Sequence, residues 1–210
     1  MRSDVLVVAT AGRVPRIESR GGVAARRTEV DTVHLVSAAA TPLGGDVIAI
    51  RLVVEPGARL RLRSAAASVA LPGPGTRTSH SCWTIEVAGE LDVDLEPTIV
   101  AADARHLSEV RIELADAARL RIRERVQIGR TDEREGFWSG TLFADRCGVP
   151  LLRHRLELGP GSVADDVLGA PLAVVGELRY PEPASDAAGT TLALAGGGSI
   201  STWQGERLYS

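Results

Sequence analysis

IRLVVEPGARLRLR, residues Ile50–Arg63, consists of two alternating runs joined by a Pro-Gly turn, and the chain writes the same phrase twice more: WTIEVAGELDVDL at Trp83–Leu95 and VRIELADAARLRIR at Val110–Arg123. Leu60 and Leu62 stand between arginines, and Leu91, Val93 and Leu95 alternate with Asp92, Asp94 and Glu96. Val110, Ile112 and Leu114 keep the same period, as do Leu120 and Ile122 between Arg119, Arg121 and Arg123. A period of two sends one set of side chains to a buried face and the other to water, the pattern of a half-buried strand. A helix needs apolar spacings of three and four over ten or more residues, and only a weak trace of that occurs, at Val163–Leu168. The expected fold class is all-β, with at most one or two short helices. Turns near Gly57, Gly89 and Ala117 divide the repeated phrases, which follow one another at about thirty residues. Units of that length suit a solenoid of helically wound, stacked strands, in which each coil buries its apolar face on the next; they suit the hairpins of a sandwich equally well.

Outward from these repeats, the 210 residues are read as one domain. LPGPGTRTSHS (Leu71–Ser81) and YPEPASDAAGT (Tyr180–Thr190) are rich in breakers and read as a surface loop and a connection, while GGGSISTWQGERLYS (Gly196–Ser210) carries little pattern. Residues 182–210 are accordingly expected to form a poorly ordered tail. The formal net charge is −3 and every one of the 24 basic residues is arginine, spread along the chain. That leaves no concentrated phosphate-neutralising surface, so nucleic acid is not an expected partner. The apolar stretch Val5–Ala11 is too short and too closely flanked by charge for a signal sequence, and nothing resembles a membrane span, so a cytoplasmic protein is expected. Cys82 and Cys147 form no CxxC pair and read as buried, reduced core residues.

The motifs of familiar enzymes are missing. No GxSxG elbow occurs, and neither GxxxxGK nor GxGxxG, which argues against a hydrolase or a nucleotide-binding enzyme. His80 and Cys82 make an HxC pair that offers two soft donors for nickel or zinc, or else a loop histidine beside a core cysteine. Two residues break the pattern around them. His154 shares the strand phase of Leu152, Leu156 and Leu158, and Glu124 shares that of Leu120 and Ile122. An ionisable group facing a core is costly unless paired, hydrated or metal-bound, so these strands bulge or the interior holds polar space. Asp46, in the glycine turn Gly44–Asp46 before a strand, reads on its own as a turn cap.

The same segments resemble the UreD (UreH) family of urease accessory proteins. The matching pieces are GGD at Gly44–Asp46, EPGARLRLRSAAAS ending at Ser68, LEPTIVAADA at Leu95–Ala104, RERVQIGRTDEREGFWSG and VPLLRHRLEL at Val149–Leu158. Their order and spacing carry the likeness from about Thr41 to Leu158 and more loosely to Pro181. The resemblance implies a wound β fold and a non-catalytic assembly factor for nickel urease. It implies binding to the apo-urease subunits and to the accessory protein UreF, through which the GTPase UreG docks. It also implies nickel in transit along an internal hydrated path, with no permanently bound cofactor. Position by position, Asp46, Glu124 and His154 correspond to residues of that metal path and Ser68 to one lining it. The sequence departs from the family in placing Arg123 where tryptophan is usual, His154 where an acid is common, and Val69 and Ala70 where lysine and aromatics often stand. A metal-free β-rich interaction scaffold is the competing reading of the same residues.

Overall fold

The alternating segments fold as strands, and their two phases part as the period of two dictates. The computed structural model describes residues 1–163, 165, 170–183 and 189–208. The chain opens with β1 (Arg2–Ala9), β2 (Arg16–Arg20), β3 (Val23–Arg27) and β4 (Thr32–Ser37). Three coils follow. The first is β5 (Val47–Val54), β6 (Arg59–Ser64) and β7 (Ser68–Ala70); the second is β8 (Thr78–Val87), β9 (Glu90–Asp94) and β10 (Thr98–Val100); the third is β11 (Arg105–Leu114) and β12 (Arg119–Ile128). A hairpin of β13 (Phe137–Arg146) and β14 (Val149–Leu158) precedes β15 (Ala173–Tyr180), β16 (Thr190–Ala193) and β17 (Ser199–Gly205).

The strands form two facing sheets. The first runs β14-β13-β11-β8-β5-β1-β2 and the second β16-β17-β15-β12-β9-β6-β4-β3. Each repeated phrase crosses from the first sheet to the second at its turn, so its two strands do not form a hairpin. Equivalent residues of successive phrases lie side by side in parallel register: Ile50, Trp83 and Val110 in the first sheet, Leu60, Leu91 and Leu120 in the second. This is the stacked-coil arrangement, and the chain is nearly all β. Tight stacking explains the glycine in the middle turn. A Cβ on Gly89 would stand 2.2 Å from the Ala58 carbonyl oxygen of the coil before it, which only glycine avoids.

Between the sheets lie Leu52, Leu60, Leu62, Ile85, Leu91 and Leu114, each essentially sealed from solvent. Each contributes about 1.5–3 kcal/mol by leaving water. A second, smaller cluster around Val100, Val126, Ile128, Trp138 and Leu158 fills the other end. The polar space expected around Glu124 and His154 falls between the two.

Three expectations are corrected. Cys82 and Cys147 are exposed: Cys82 takes the outward phase of β8, and Cys147 sits in the turn of the β13–β14 hairpin at φ 49°. The segment Leu71–Ser81 is not all loop, because β8 begins at Thr78 and Ser79 and Ser81 are buried. Within the expected tail, Ser199–Gly205 is a strand between β15 and β16, held by pairing from Ala173↔Gly205 to Arg179↔Ser199 with Ile200 in the core. Two neighbouring strands order a segment whose own composition does not. Of the two strands that bulging could have explained, β12 pairs β15 without interruption through Glu124↔Gly176. β14 does bulge, at Leu151, where its pairing passes from Leu152↔Ala144 to Pro150↔Asp145; His154 lies beyond that bulge and keeps the phase of Leu152 and Leu156. The weak helical trace at Val163–Leu168 and the middle of the Tyr180–Thr190 connection lie largely outside the described residues. No helix among the described residues is long and apolar enough to cross a membrane.

Candidate functional site

Parallel, in-register stacking turns an inward residue of each strand into a row across the first sheet. One row contains Ser79, His106 and Trp138; the next contains Ile48, Ser81, Ser108, Gly140 and Leu156. Elsewhere such rows are mostly apolar, as in Leu52, Ile85, Ile112, Ala144 and Leu152. Here small hydroxyl side chains replace them and cannot fill the space between sheets. The result is a cavity of about 170 Å³ whose lining includes the polar side chains of Ser68, Ser81, His106, Ser108, Glu124 and His154, with room for several water molecules. The Trp138 ring lies across Gly140 and forms part of the wall. A Cβ on Gly140 would be 2.2 Å from that ring, so glycine is what lets the indole lie flat there.

Glu124 projects from β12 into this space. It is half-buried, and among the described residues no arginine or histidine bonds to it. Burial pushes its carboxyl up to about 7, and a hydrogen bond donated by the Ser108 hydroxyl offsets only part of the rise. His154, opposite Leu142 on β14, has its pKa lowered by burial, which favours the neutral imidazole. His106 is pushed down to about 4, first by burial and then by the nearby His80, and its Nδ1 lies 2.9 Å from the Ser79 hydroxyl. The His154 Nε2 and Trp138 Nε1 atoms are buried without a protein partner. A buried polar atom left unpaired costs about 1–3 kcal/mol, and hydration of the adjoining cavity relieves that cost.

Of the four residues singled out by sequence, Ser68, Glu124 and His154 line this one cavity. Asp46 does not. Its carboxylate accepts from the Thr41 hydroxyl and the Leu43 N–H, both at 2.9 Å, and pairs with the Met1 ammonium at 2.6 Å. Burial alone raises its pKa, but the ammonium, the Leu43 N–H and the Thr41 hydroxyl together bring it below the ordinary value. It caps the turn that launches β5. His80 and Cys82 point outward from β8, away from the cavity, and both are exposed.

Sequence reasoning missed Ser79, Ser81, His106, Ser108 and Trp138. Their signal is the polar inward phase of TSHSCW and RHLSEV, which becomes readable only when the strand boundaries are known. Among the described residues no three histidine, cysteine, aspartate or glutamate side chains converge as a metal cage. A near-neutral carboxyl, neutral imidazoles and hydroxyls form a chain of weak oxygen and nitrogen donors, suited to brief contact with a hydrated divalent ion.

Residues 16–207 match the family model described as UreD urease accessory protein. The chain is 42% identical over 224 residues to the urease accessory protein UreD of Frankia alni, covering 94% of this chain and 75% of that protein. It is 39% identical over 194 residues to urease accessory protein UreD 1 of Saccharopolyspora erythraea, covering 87% and 75%. To the UreD protein of Parafrankia sp. it is 36% identical over 211 residues, covering 86% and 70%.

Proposed function

The chain belongs to the UreD family of urease accessory proteins, which act in the maturation of urease, and from that premise we propose that it is a cytoplasmic, non-catalytic factor that passes nickel to the enzyme it helps assemble. It binds the apo-urease subunits and UreF, and through UreF the GTPase UreG. Nickel is its cargo and is not retained. The observation that supports this reading is Glu124: an inward carboxyl without a cationic partner, in a cavity between sheets whose facing rows are mostly apolar.

The physical logic is one of graded affinity. A site that hands on a divalent ion must hold it weakly, and isolated carboxylate, hydroxyl and imidazole donors together with water do so, where a thiolate or multi-histidine cage would trap it. Glu124, Ser68 and His154 are the contacts along the way. Asp46 stands apart and holds the fold at the end of the first sheet.

Co-expression with urease subunits and the remaining accessory proteins tests the proposal. With Glu124→Gln, urease is expected to co-purify with the accessory complex as before but to carry less nickel and less ureolytic activity. Full activity with the variant would leave only a docking role, the metal-free scaffold. Loss of the complex itself would make Glu124 a structural residue.

A further inference from the structure

The inner face of the second sheet is closed by hydrogen-bonded strands except at one level. β12 is continuous for ten residues, but its neighbour is not. It pairs with β9 as far as Arg123↔Asp94 and resumes with β10 only at Val126↔Thr98. Beside Glu124 and Arg125 the neighbouring chain is Leu95, Glu96 and Pro97, which belong to no strand. The coil before it breaks at the same level. β6 ends at Ser64, β7 starts at Ser68, and between them are three exposed alanines, Ala65–Ala67. Two aligned interruptions in adjacent coils make a slot in the sheet.

Intact strands stand about 4.8 Å apart and are bridged by their hydrogen bonds, so nothing passes between them. At the slot that ladder is replaced by two stitches: the Glu96 N–H donates to the Ser64 hydroxyl at 2.8 Å and the Ser68 N–H to the Pro97 carbonyl at 2.9 Å. At this level the cavity wall includes residues of both strand phases, inward Ser64, Leu95 and Glu124 together with outward Glu96, Arg123 and Arg125. The void thus abuts the interrupted part of the sheet, and one of its lining residues there, Glu96, is exposed. The flanking guanidinium groups are already engaged, Arg125 by Asp94 and Arg123 by Glu177. What remains along the slot is the exposed Glu96 carboxylate at the rim, the Ser64, Ser68 and Thr98 hydroxyls, and Glu124 within.

We infer that this slot is a mouth of the cavity and a binding site for a hydrated divalent cation, with Glu96 as its outer ligand and Glu124 as its inner one. The inference rests on the cation reading above for its ligand, and on the strand interruptions for its place. Small side chains at Ala65–Ala67 and Ser68 are what keep it open, so bulk at the rim should close it.

Accessibility tests this directly in the full chain. In a Cys82→Ser, Cys147→Ser background, Glu124→Cys is expected to react with a small cationic methanethiosulfonate, and Ni²⁺ is expected to slow the reaction. Adding Ser68→Phe, or separately Thr98→Phe, should abolish labelling without changing the urea unfolding midpoint; two rim positions guard against one variant misfolding. A single-cysteine protein retaining Cys82 is the control for reagent and fold. An unreactive Glu124→Cys beside a reactive Cys82 overturns the inference, as does labelling that survives both rim substitutions. If labelling is blocked by Ser68→Phe but urease activation by that variant is unchanged, the mouth stands and the cation reading falls.

Discussion

Two carboxylates on opposite faces of the β12–β15 pair have opposite chemistry. Glu177 faces outward opposite Arg123 and is only 3% exposed; Glu124 faces inward opposite Gly176. Glu177 is gripped by the Arg123 Nε at 2.8 Å, by the Arg121 guanidinium at 3.2 Å and by Arg179. Burial alone raises its pKa, but Arg179, Arg121 and Arg123 outweigh it and hold the carboxyl below its ordinary value. Glu124 has one hydroxyl in place of three guanidinium groups and is pushed up to about 7. Burial is common to both, so the partner decides the outcome: three arginines make a carboxylate part of the scaffold, and their absence leaves one free to exchange a proton or a cation.

The comparison breaks most visibly at Glu177. Replacing it by glutamine leaves Arg121, Arg123 and Arg179 crowded without their shared counter-charge. The three arginines keep a quarter to a third of their exposure, so the loss falls below the cost of about 3–5 kcal/mol for a fully buried ionic cluster. The Glu177→Gln urea midpoint is expected to fall by that lesser amount at neutral pH. The pH sign follows from the lowered folded pKa. The stabilisation is present above the ordinary carboxylate value and is lost as pH falls through the folded one. A variant as stable as the parent would show that the arginines are satisfied by water and by Asp92 and Asp94.

Glu124 should behave in the opposite way. Its folded pKa is raised, so the folded state holds a proton that the unfolded chain releases, and stability declines as pH rises from 4.5 to about 7. The decline is at most about 3 kcal/mol, reduced by whatever hydration the cavity supplies. Glu124→Gln is expected to remove this slope and to be more stable than the parent above pH 7. Urea unfolding of both proteins from pH 5 to pH 8 measures it; parallel curves would mean that Glu124 is fully hydrated and already ionised.

These two residues also show what the sequence makes legible. Period-two alternation placed Glu124 and His154 inward and marked the three repeated phrases, because each phrase contains its own turn and both of its strands. It left stacked coils and hairpins equally open, since the pairing that decides between them joins residues of different phrases. The outward grip on Glu177 was not legible. It joins β12 to β15 across 54 residues of chain, and no spacing rule links Arg123 to a glutamate so distant. The polar rows of Ser79 with His106 and of Ser81 with Ser108 were hidden for another reason. LPGPGTRTSHS is rich in breakers up to Thr78, and composition alone does not reveal that the strand starts there. Cys82 was misplaced because it was read by residue type, cysteine being a common core residue, and not by the phase of Ile85 and Val87, which turns it outward.

A third carboxylate sharpens the comparison from the exposed side. Glu133 lies in the loop between β12 and β13, and accepts from the Ala102 N–H at 3.0 Å, the Arg130 N–H at 3.1 Å and the Arg130 guanidinium. Arg130, then the Ala102 and Arg130 backbone N–H groups, bring its carboxyl down to about 2. The contact ties this loop to the one between β10 and β11. It is half-buried and its partner Arg130 is largely exposed, so its effect on global stability should be the smallest of the three. Its signature is local and acidic. The contribution is present above the ordinary value of 4.5 and is lost as pH falls toward about 2. Glu133→Gln, which keeps an acceptor but not the charge, is expected to leave the neutral unfolding midpoint nearly unchanged and to flatten the stability profile between pH 4.5 and the acid limit. Hydrogen exchange at the Ala102 amide is the sharper readout, because only this carboxylate accepts from it across the two loops. Faster exchange in the variant is expected, and unchanged protection would mean that the packing of Ala101 and Ala104, not the charge, fixes the loop.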